Sequence, residues 1–487
     1  MTASTRGPSG AELLARLDRL PQSKPHRRLM LQGGMGHLFE AYDGVLLAYA
    51  ASAVVTIWAV DSTVAGWLLA SVFIGYLIGS LLAGVLADWI GRRRVLMYAL
   101  FVYVVFTLLA ATATGPGELI LWRVLSGIGI GAEATTIVPY ISEFLPRRNR
   151  GRSIGRTMMF LGVGHALAGL TAVLVISPQP EPGWRIACLS GALPVLLLLW
   201  WRRTMVESPR FLIDKGRVDE AREIVERIER ETAEAGNAVP APPEKGTIGS
   251  EAGGGEDERS HHGSNPLRRM AALWGPGMAR RSTVVCLLWF AFQAAQYGYG
   301  TWLPTLLVLK GFTISTSFAF AMAGAVAQIP GYYLAASISE RLDRKWTIVL
   351  FLVGSVGCAA ALGTAGNATS IFCFNIALSF CMNGVASPLY AYTTEIYPTG
   401  IRTSGMGMAS AMARVGAILA PVVIGYVQAD LGFGGVFAML CGLLFFGSVI
   451  LAVFGLRTAG RSLEGLEASG RTPAPTSSES ESSPSCS

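Results

Sequence analysis

Charge is scarce in this sequence: only 15% of its 487 residues are Asp, Glu, Lys or Arg, against about 25% in a soluble protein. A water-soluble domain is therefore not expected. The apolar stretches do not alternate with polar residues, which sets aside a membrane β-barrel. The first 29 residues hold no short apolar core ahead of a small-residue cleavage site, so no removable signal peptide is expected. The 7 cysteines form no C-x-x-C pair and no metal-ligand spacing. All but Cys486 lie in or beside apolar runs, where a thiol is a small packing residue. His261 and His262 are adjacent in a Gly/Glu/Ser-rich segment, and two neighbouring imidazoles alone make a poor metal site. No Ser/His/Asp or Cys/His arrangement marks a nucleophile. GIGIG at 127–131 follows no strand, so close helix packing explains it better than a dinucleotide fingerprint. The reading is a non-enzyme with no metal and no cofactor beyond protons. The net charge of +7 is spread over many short loops, which argues against a nucleic-acid partner.

What is abundant is apolar length. Runs of 18 or more residues nearly free of charge cross a bilayer as helices, since about 20 residues at 1.5 Å each span its core. Twelve such runs are expected, at 31–58, 65–87, 95–113, 118–140, 154–176, 185–201, 282–306, 317–338, 346–366, 369–393, 404–427 and 433–455. The fold class is thus an all-α membrane protein of twelve transmembrane helices. Arginine and lysine collect in the N-terminal tail (Arg6, Arg16, Arg19, Lys24, Arg27, Arg28), the 2–3 loop (Arg92, Arg93, Arg94) and the 4–5 loop (Arg147, Arg148, Arg150, Arg152, Arg156). The opposite loops offer Arg185 and Lys310. By the positive-inside rule both termini are cytoplasmic in a multi-pass protein of the cell membrane.

The phrase GVLADWIGRRRVL at 84–96 is echoed by ASISERLDRKWTI at 336–348. A shift of 252 positions carries Gly79 onto Gly331, Asp88 onto Glu340, Arg92 onto Arg344 and Arg93 onto Lys345. The same shift carries Tyr140 onto Tyr392, Glu143 onto Glu395, Pro146 onto Pro398, Arg150 onto Arg402 and Gly155 onto Gly407. A six-helix unit is duplicated in one orientation, which puts a binding site between the halves near the midplane. The expected organisation is a tail at 1–30, a bundle at 31–201, a cytoplasmic linker at 202–280, a second bundle at 281–456 and a tail at 457–487. In the linker, Ser208 caps and Pro209 opens a helical segment, and Ala221, Ile224, Val225 and Ile228 share one face. Residues 236–265 and the tail from 470 have a disordered composition.

These residues resemble the major facilitator superfamily. Gly84-x3-Asp88-x2-Gly91-Arg92-Arg93 is similar to its 2–3 loop signature, and Trp122-Arg123-x3-Gly127-x-Gly129 to its helix-4 signature. Glu207-Ser208-Pro209-Arg210 and Gly460-Arg461-Ser462-Leu463-Glu464 resemble the sugar-porter branch and its metabolite:proton symporter relatives. The resemblance spans roughly residues 30 to 466 and implies two pseudo-symmetric six-helix bundles. It departs at Asp343, which stands where the repeat calls for a glycine.

Acids contribute little to the positive-inside rule, yet they recur beside the loop arginines in both copies. Asp88 ends helix 2 against the negative end of its own dipole and needs an outside partner. Asp88, Gly91, Arg92, Arg93, Glu143 and Arg150, with Glu340, Arg344, Glu395 and Arg402, are expected to form a cytoplasmic gate that locks the halves when the outside is open. Solvated pairs are worth about 0–1 kcal/mol each, the right size for a lock that must reopen.

Inside the membrane an ionisable residue costs at least about 2.5 kcal/mol and marks function. The first span carries Glu40 and Asp43, and the fourth carries Arg123 and Glu133. Asp43 paired with Arg123 is the expected proton switch, with Glu133 next and Glu40 one turn nearer the cytoplasm. The acid spacing resembles that of aromatic-acid:proton symporters. Arg414 in the eleventh span has no acid on its own helix, which points to a carboxylate as its partner. Gln293, Gln296, Tyr297, Tyr299 and Trp302 in the seventh span are placed to stack on or bond a flat ring. Asn383, Tyr390 and His165 complete the substrate-site candidates. TWLPTLLVLKGF and AQIPGYY resemble stretches of nicotinate-type and aromatic-acid carriers.

The expected function is proton-coupled uptake of a small organic acid by alternating access, by a monomer in the lipid bilayer. A sugar or polyol porter is the alternative; against it, Leu389 follows Pro388 where sugar porters place tryptophan. A drug/proton antiporter is disfavoured because helix 5 lacks a Gly-Pro-x-x-Gly-Gly run. A non-transporting sensor on the same fold stays open.

Overall fold

The computed structural model describes residues 9–146, 150–236 and 270–456, with the side chains of residues 151, 152, 336, 340, 399, 400 and 403 set aside. Arg6, Arg147, Arg148, His261, His262, the 460–464 signature and the Glu340 side chain fall outside this description.

Among the described residues the regular structure is helical. Helix α1 (Gly10–Arg19) precedes the first bundle, which comprises α2 (Lys24–Ile57), α3 (Ser62–Ile90), α4 (Arg92–Ala110), α5 (Pro116–Ser142), α6 (Arg150–Thr171), α7 (Pro180–Ser190) and α8 (Pro194–Thr204). Two amphipathic helices follow, α9 (Pro209–Asp214) and α10 (Val218–Glu234). The second bundle comprises α11 (Ala279–Leu309), α12 (Ile314–Arg341), α13 (Arg344–Thr364), α14 (Ala368–Ile396) and α15 (Thr399–Phe454).

Ten of the described helical stretches are long and apolar enough to cross a membrane. One of them, Ser404–Phe454, has 51 residues, about 77 Å of helix, more than twice the hydrocarbon core of about 30 Å. Gly432, with φ 63° and ψ −163°, breaks α15 into two crossings. The left-handed φ suits glycine, which has no Cβ to clash. Helix α11 carries amides and arginines, which lower its hydropathy, but its 31 residues are ample for a crossing. With α7 and α8 as one bent crossing from Pro180 to Thr204, the described helices make twelve spans.

Several span starts are written in short polar side chains. Asp61, Thr313, Asp343 and Asn367 each accept a backbone N–H of the first turn they precede, at 3.3, 3.2, 3.2 and 2.8 Å. Each satisfies a donor that the helix itself cannot pair. Asp343, which departs from the expected glycine, thus works as the N-cap of α13.

The internal repeat reappears atom for atom. Arg92 donates to the carbonyl of Ala87, and Arg344 to that of Ser339. Arg150 donates to Leu145 O, and Arg402 to Tyr397 O. A Cβ added to Gly79 would strike Ile128 O, and one added to Gly331 would strike Phe380 O. Every equivalent pair is offset by 252 positions.

The first 30 residues were expected as a tail, but they contain α1. Ser9 caps it, and buried Leu13 packs with Phe211, Leu212, Ala221 and Val225 in a small core of its own. Arg16 also pairs with Glu229 of α10 at 2.5 Å. The amphipathic spacing of Leu13 and Leu17 carried that signal. Helix α2 likewise begins at Lys24, ahead of the expected 31.

The bundles meet along α2–α11, α3–α15 and α6–α12. Close approaches lie from mid-depth to the face that holds the 58–61, 310–313 and 432 turns, hereafter the far face. Gly66 packs against Pro421 and Gly425, Tyr49 against Phe318, and Gly169 against Met322. The near face holds the 91, 143–146, 342–343 and 397–398 connections and is covered on the first bundle by α1, α9 and α10.

Candidate functional site

Asp43 and Arg123 are 1% and 2% exposed and joined by two parallel hydrogen bonds. Arg123 Nη1 donates to Asp43 Oδ1 at 3.0 Å and Nη2 to Oδ2 at 2.5 Å. The planar guanidinium matches the carboxylate fork, the strongest form of such a pair. Gly191 lets the carboxylate lie close: a Cβ there would sit 3.1 Å from Asp43 Oδ1. Tyr103 and Cys188 are electrostatic neighbours of the pair, and Glu133 and Tyr42 are neighbours of Tyr103. In the second bundle the equivalent positions are Ala295 and Asn375. There Tyr299 bonds Asn375 and, at 3.0 Å, Ser379. One bundle thus keeps a charged pair where the other keeps a neutral network.

The pair is sealed within the first bundle and does not line the contact between the halves. Arg414, on α15, stands apart from it. Helix α2 presents Asp43 toward α5 and α7, whereas Glu40, one turn below, faces α3.

Around Glu40 a second polar assembly crosses from one bundle to the other. His37 Nδ1 lies 3.1 Å from Glu40 Oε2. Tyr76 of α3 donates its hydroxyl to Glu40 Oε1 at 3.2 Å. Arg414 of α15, from the other bundle, donates to the Tyr76 hydroxyl at 2.9 Å and lies over its ring at 3.9 Å, an arrangement favoured by the ring quadrupole. Tyr297 and Tyr390 are electrostatic neighbours of Arg414, and His165 is one of Glu40. Tyr297 meets Phe73 edge to face at 4.8 Å, and Tyr390 meets Trp289 at 4.7 Å. Tyr390 is 53% exposed, while Gln293, Gln296, Tyr297, Asn383, His165 and Arg414 are half-buried. The Phe73–Tyr297 and Tyr76–Arg414 contacts mark the seam between the bundles, and the half-buried groups beside it are the candidate lining of a cleft there. Gln296 Oε1 and Asn383 Nδ2 are buried and make no hydrogen bond among the described residues.

Two expected ring contacts are corrected. Tyr299 is buried against Asn375, and Trp302 is buried with its indole N–H on Pro421 O at 2.9 Å. Their polar atoms are already spent inside the second bundle. Tyr76 was missed, although it is the one tyrosine in the second span; Phe73 stands one turn before it.

Glu133 is 1% exposed, and neither carboxyl oxygen makes a hydrogen bond among the described residues. Gly36 leaves it room, since a Cβ there would strike Glu133 Oε1. Burying a carboxyl without a partner in that setting is costly.

At the near face each described ion pair stays within one bundle and its attached helices. Arg92 reaches Asp88 at 3.1 Å and Glu143 at 3.4 Å; Arg344 reaches Glu395 at 3.2 Å; Arg150 reaches Asp18 at 2.9 Å. Gly91 turns between α3 and α4 with φ 102°, and Arg93 bonds the carbonyl of Arg202 at 3.0 Å. Glu207, absent from the expected gate, accepts the Arg93 and Ser208 backbone N–H groups at 3.1 and 3.0 Å and so caps α4. Ser208 donates to Glu143. Burial pushes the Glu143 carboxyl above its ordinary value, opposed by the Ser208 hydroxyl and Arg92.

Residues 33–469 match the sugar (and other) transporter family. The chain is 34% identical to the niacin transporter NiaP of Acinetobacter baylyi over 93% of its length and 99% of that relative. It is 28% identical to a putative niacin/nicotinamide transporter NiaP of Bacillus subtilis, covering 90% and 98% of the two chains. Among solved structures, an inward-open xylose transporter XylE from E. coli superposes with a TM-score of 0.69 at 19% identity, over 92% of this chain and all of that one. A helical bundle pair with buried charges at mid-depth and this match across most of its length places the chain in the sugar (and other) transporter family of the major facilitator superfamily, as a multi-pass membrane transporter.

Proposed function

We propose that this protein imports a small aromatic carboxylate of the niacin type together with protons, by alternating access. The observation that carries the reading is Arg414. It is a cation at mid-depth that meets its nearest acid only through a tyrosine hydroxyl, and it stands in a cleft lined by aromatic and amide groups. A carboxylate fits such an arginine through two parallel bonds, and a flat ring fits beside Tyr297, Tyr390 and Phe73. The names of the relatives, niacin and 4-hydroxybenzoate transporters among them, agree in chemistry.

Asp43 is the proton carrier of this scheme and Arg123 its partner. Protonation of Asp43 releases the guanidinium, and ionisation recaptures it, so the pair is a two-state element that a proton biases. Glu133 is a reserve site for the proton. The moving bodies are residues 31–201 and 281–456, joined by the linker at 202–280. With the arginine-rich near face turned to the cytoplasm of a cell membrane, the contacts described above close the outside. The near-face acids and bases then pair across the halves in the opposite state. One chain contains every part, so it works as a monomer.

The test is uptake of labelled niacin into proteoliposomes with an imposed acid-outside gradient. Accumulation that collapses with the gradient supports the reading. A sugar cargo is the second reading, favoured by Gln293 and Gln296 on α11. Gradient-driven accumulation of xylose with none of niacin would replace the first reading by this one.

A further inference from the structure

The proton switch at Asp43 is sealed away from the cleft, so it does not by itself explain how an anion and a proton are taken together. The cleft has its own acid. Glu40 and Arg414 come from different bundles and share one hydroxyl, that of Tyr76, which accepts from Arg414 at 2.9 Å and donates to Glu40 at 3.2 Å. Along that chain of contacts one guanidinium faces one carboxylate.

We propose that Glu40, acting through Tyr76, holds the place of the cargo's carboxylate on Arg414, so that an anionic cargo seats as Glu40 takes up a proton. The proposal rests on the reading of the cargo as a carboxylate. A carboxylate arriving on Arg414 leaves the cleft with one negative charge too many, at a depth where an uncompensated charge costs at least about 2.5 kcal/mol. A proton on Glu40 restores the balance. The Tyr76 hydroxyl, no longer held by an anion, is free to turn its hydrogen toward the cargo. The bookkeeping is closed: one carboxylate and one proton enter, one Glu40 carboxyl becomes neutral, and no covalent bond beyond that O–H changes.

The groups that face Glu40 from each side bear on this assignment. On its own helix His37 is in contact and Asp43 is committed to Arg123. From α3 comes Tyr76, from α5 Glu133, from α6 His165 and from α15 Arg414. Tyr297 of α11 and Tyr390 of α14 stand beside Arg414. Of these, only Arg414 is a permanent cation. Each of His37, Asp43 and Glu133 is a rival site for the proton, and the experiment separates them.

The experiment counts protons taken up when niacin binds the purified full-length protein in weakly buffered solution, across mildly acid to mildly alkaline pH. The wild type should take up about one proton per niacin, and its affinity should fall as the pH rises. Nicotinamide, the neutral analogue, should bind with no proton. Glu40→Gln should bind niacin with no proton uptake and no pH dependence. Glu40→Asp, which keeps the charge, should restore both and shows that the change is not one of folding. Undiminished uptake in Glu40→Gln overturns the proposal and leaves the carrier reading intact; its loss in His37→Gln, Asp43→Asn or Glu133→Gln would then locate the proton. Niacin binding by the wild type without proton uptake overturns it equally. If the wild type binds nicotinamide or xylose but no carboxylate, the cargo reading itself falls and takes this proposal with it.

Discussion

Gly66 and Gly425 face each other across the two bundles so closely that a Cβ built on either lies 3.3 Å from the Cα of the other. The same Cβ on Gly425 would lie 2.6 Å from Ser62 O, and that on Gly66 would lie 2.7 Å from Pro421 O. Backbone cannot give way as a side-chain tip can. The contact seals the far face, and it is built from small residues because association in lipid relies on close van der Waals approach.

Gly425→Ala should therefore open the far face. Overpacking of about 1–3 kcal/mol is enough to shift a two-state carrier by roughly ten- to hundredfold. Spin labels at Asp61 and Asp430, both exposed at that face, should move apart in the variant. An unchanged distance distribution would show that this contact does not set the conformation.

The Asp43–Arg123 pair predicts non-additive stability. Arg123→Gln leaves a carboxylate buried without its partner, at a cost of about 3–5 kcal/mol. Adding Asp43→Asn to it removes the stranded charge, so the double variant should be more stable than Arg123→Gln alone. Thermal unfolding in detergent with a fixed lipid supplement compares them. Equal midpoints for single and double variants would mean that the two side chains do not depend on each other. Asp43→Asn by itself should abolish gradient-driven accumulation while leaving cargo binding measurable.

Arg414→Gln should weaken niacin far more than nicotinamide. A charged hydrogen bond carries about 1.5–3 kcal/mol, so the carboxylate should lose roughly ten- to hundredfold in affinity and the neutral amide little. Equal losses for both would assign Arg414 to the packing of the bundles rather than to the cargo.

Glu143 predicts a pH effect at the near face. Burial, opposed by Ser208 and Arg92, holds this carboxyl above its ordinary value. The folded protein then binds a proton that the unfolded chain has already released, so Glu143 contributes stability at low pH. That contribution is lost as pH rises from the ordinary value through the folded one. Glu143→Gln, which does not titrate, should flatten this part of the stability curve. Ser208→Ala, which removes an opposing bond, should extend the window upward.

How much was readable from residue order follows from the kind of physics involved. The twelve spans, the twofold repeat and the family signatures rest on local properties: apolar length against bilayer thickness, and identity at a fixed offset. Glu40, Asp43, Arg123, Glu133 and Arg414 stood out because charge inside an apolar run is costly wherever the run packs. The break between the last two spans was legible at 428–432, but that the chain turns there on Gly432 alone, with helix on both sides, needed coordinates. So did Tyr76, an ordinary aromatic until Arg414 lies on its ring.

Composition and periodicity dictated that this chain crosses the membrane in two matched bundles and that five charges stand at depth. Which of those charges meet was settled by packing. Helix rotation turned Asp43 inward to Arg123 and Glu40 outward to the cleft, though the two lie three positions apart on α2. The link from Glu40 through Tyr76 to Arg414 joins residues of different bundles, Glu40 and Arg414 lying 374 positions apart, brought together by shape. No local rule encodes a meeting of that kind, because it depends on how every intervening helix is seated.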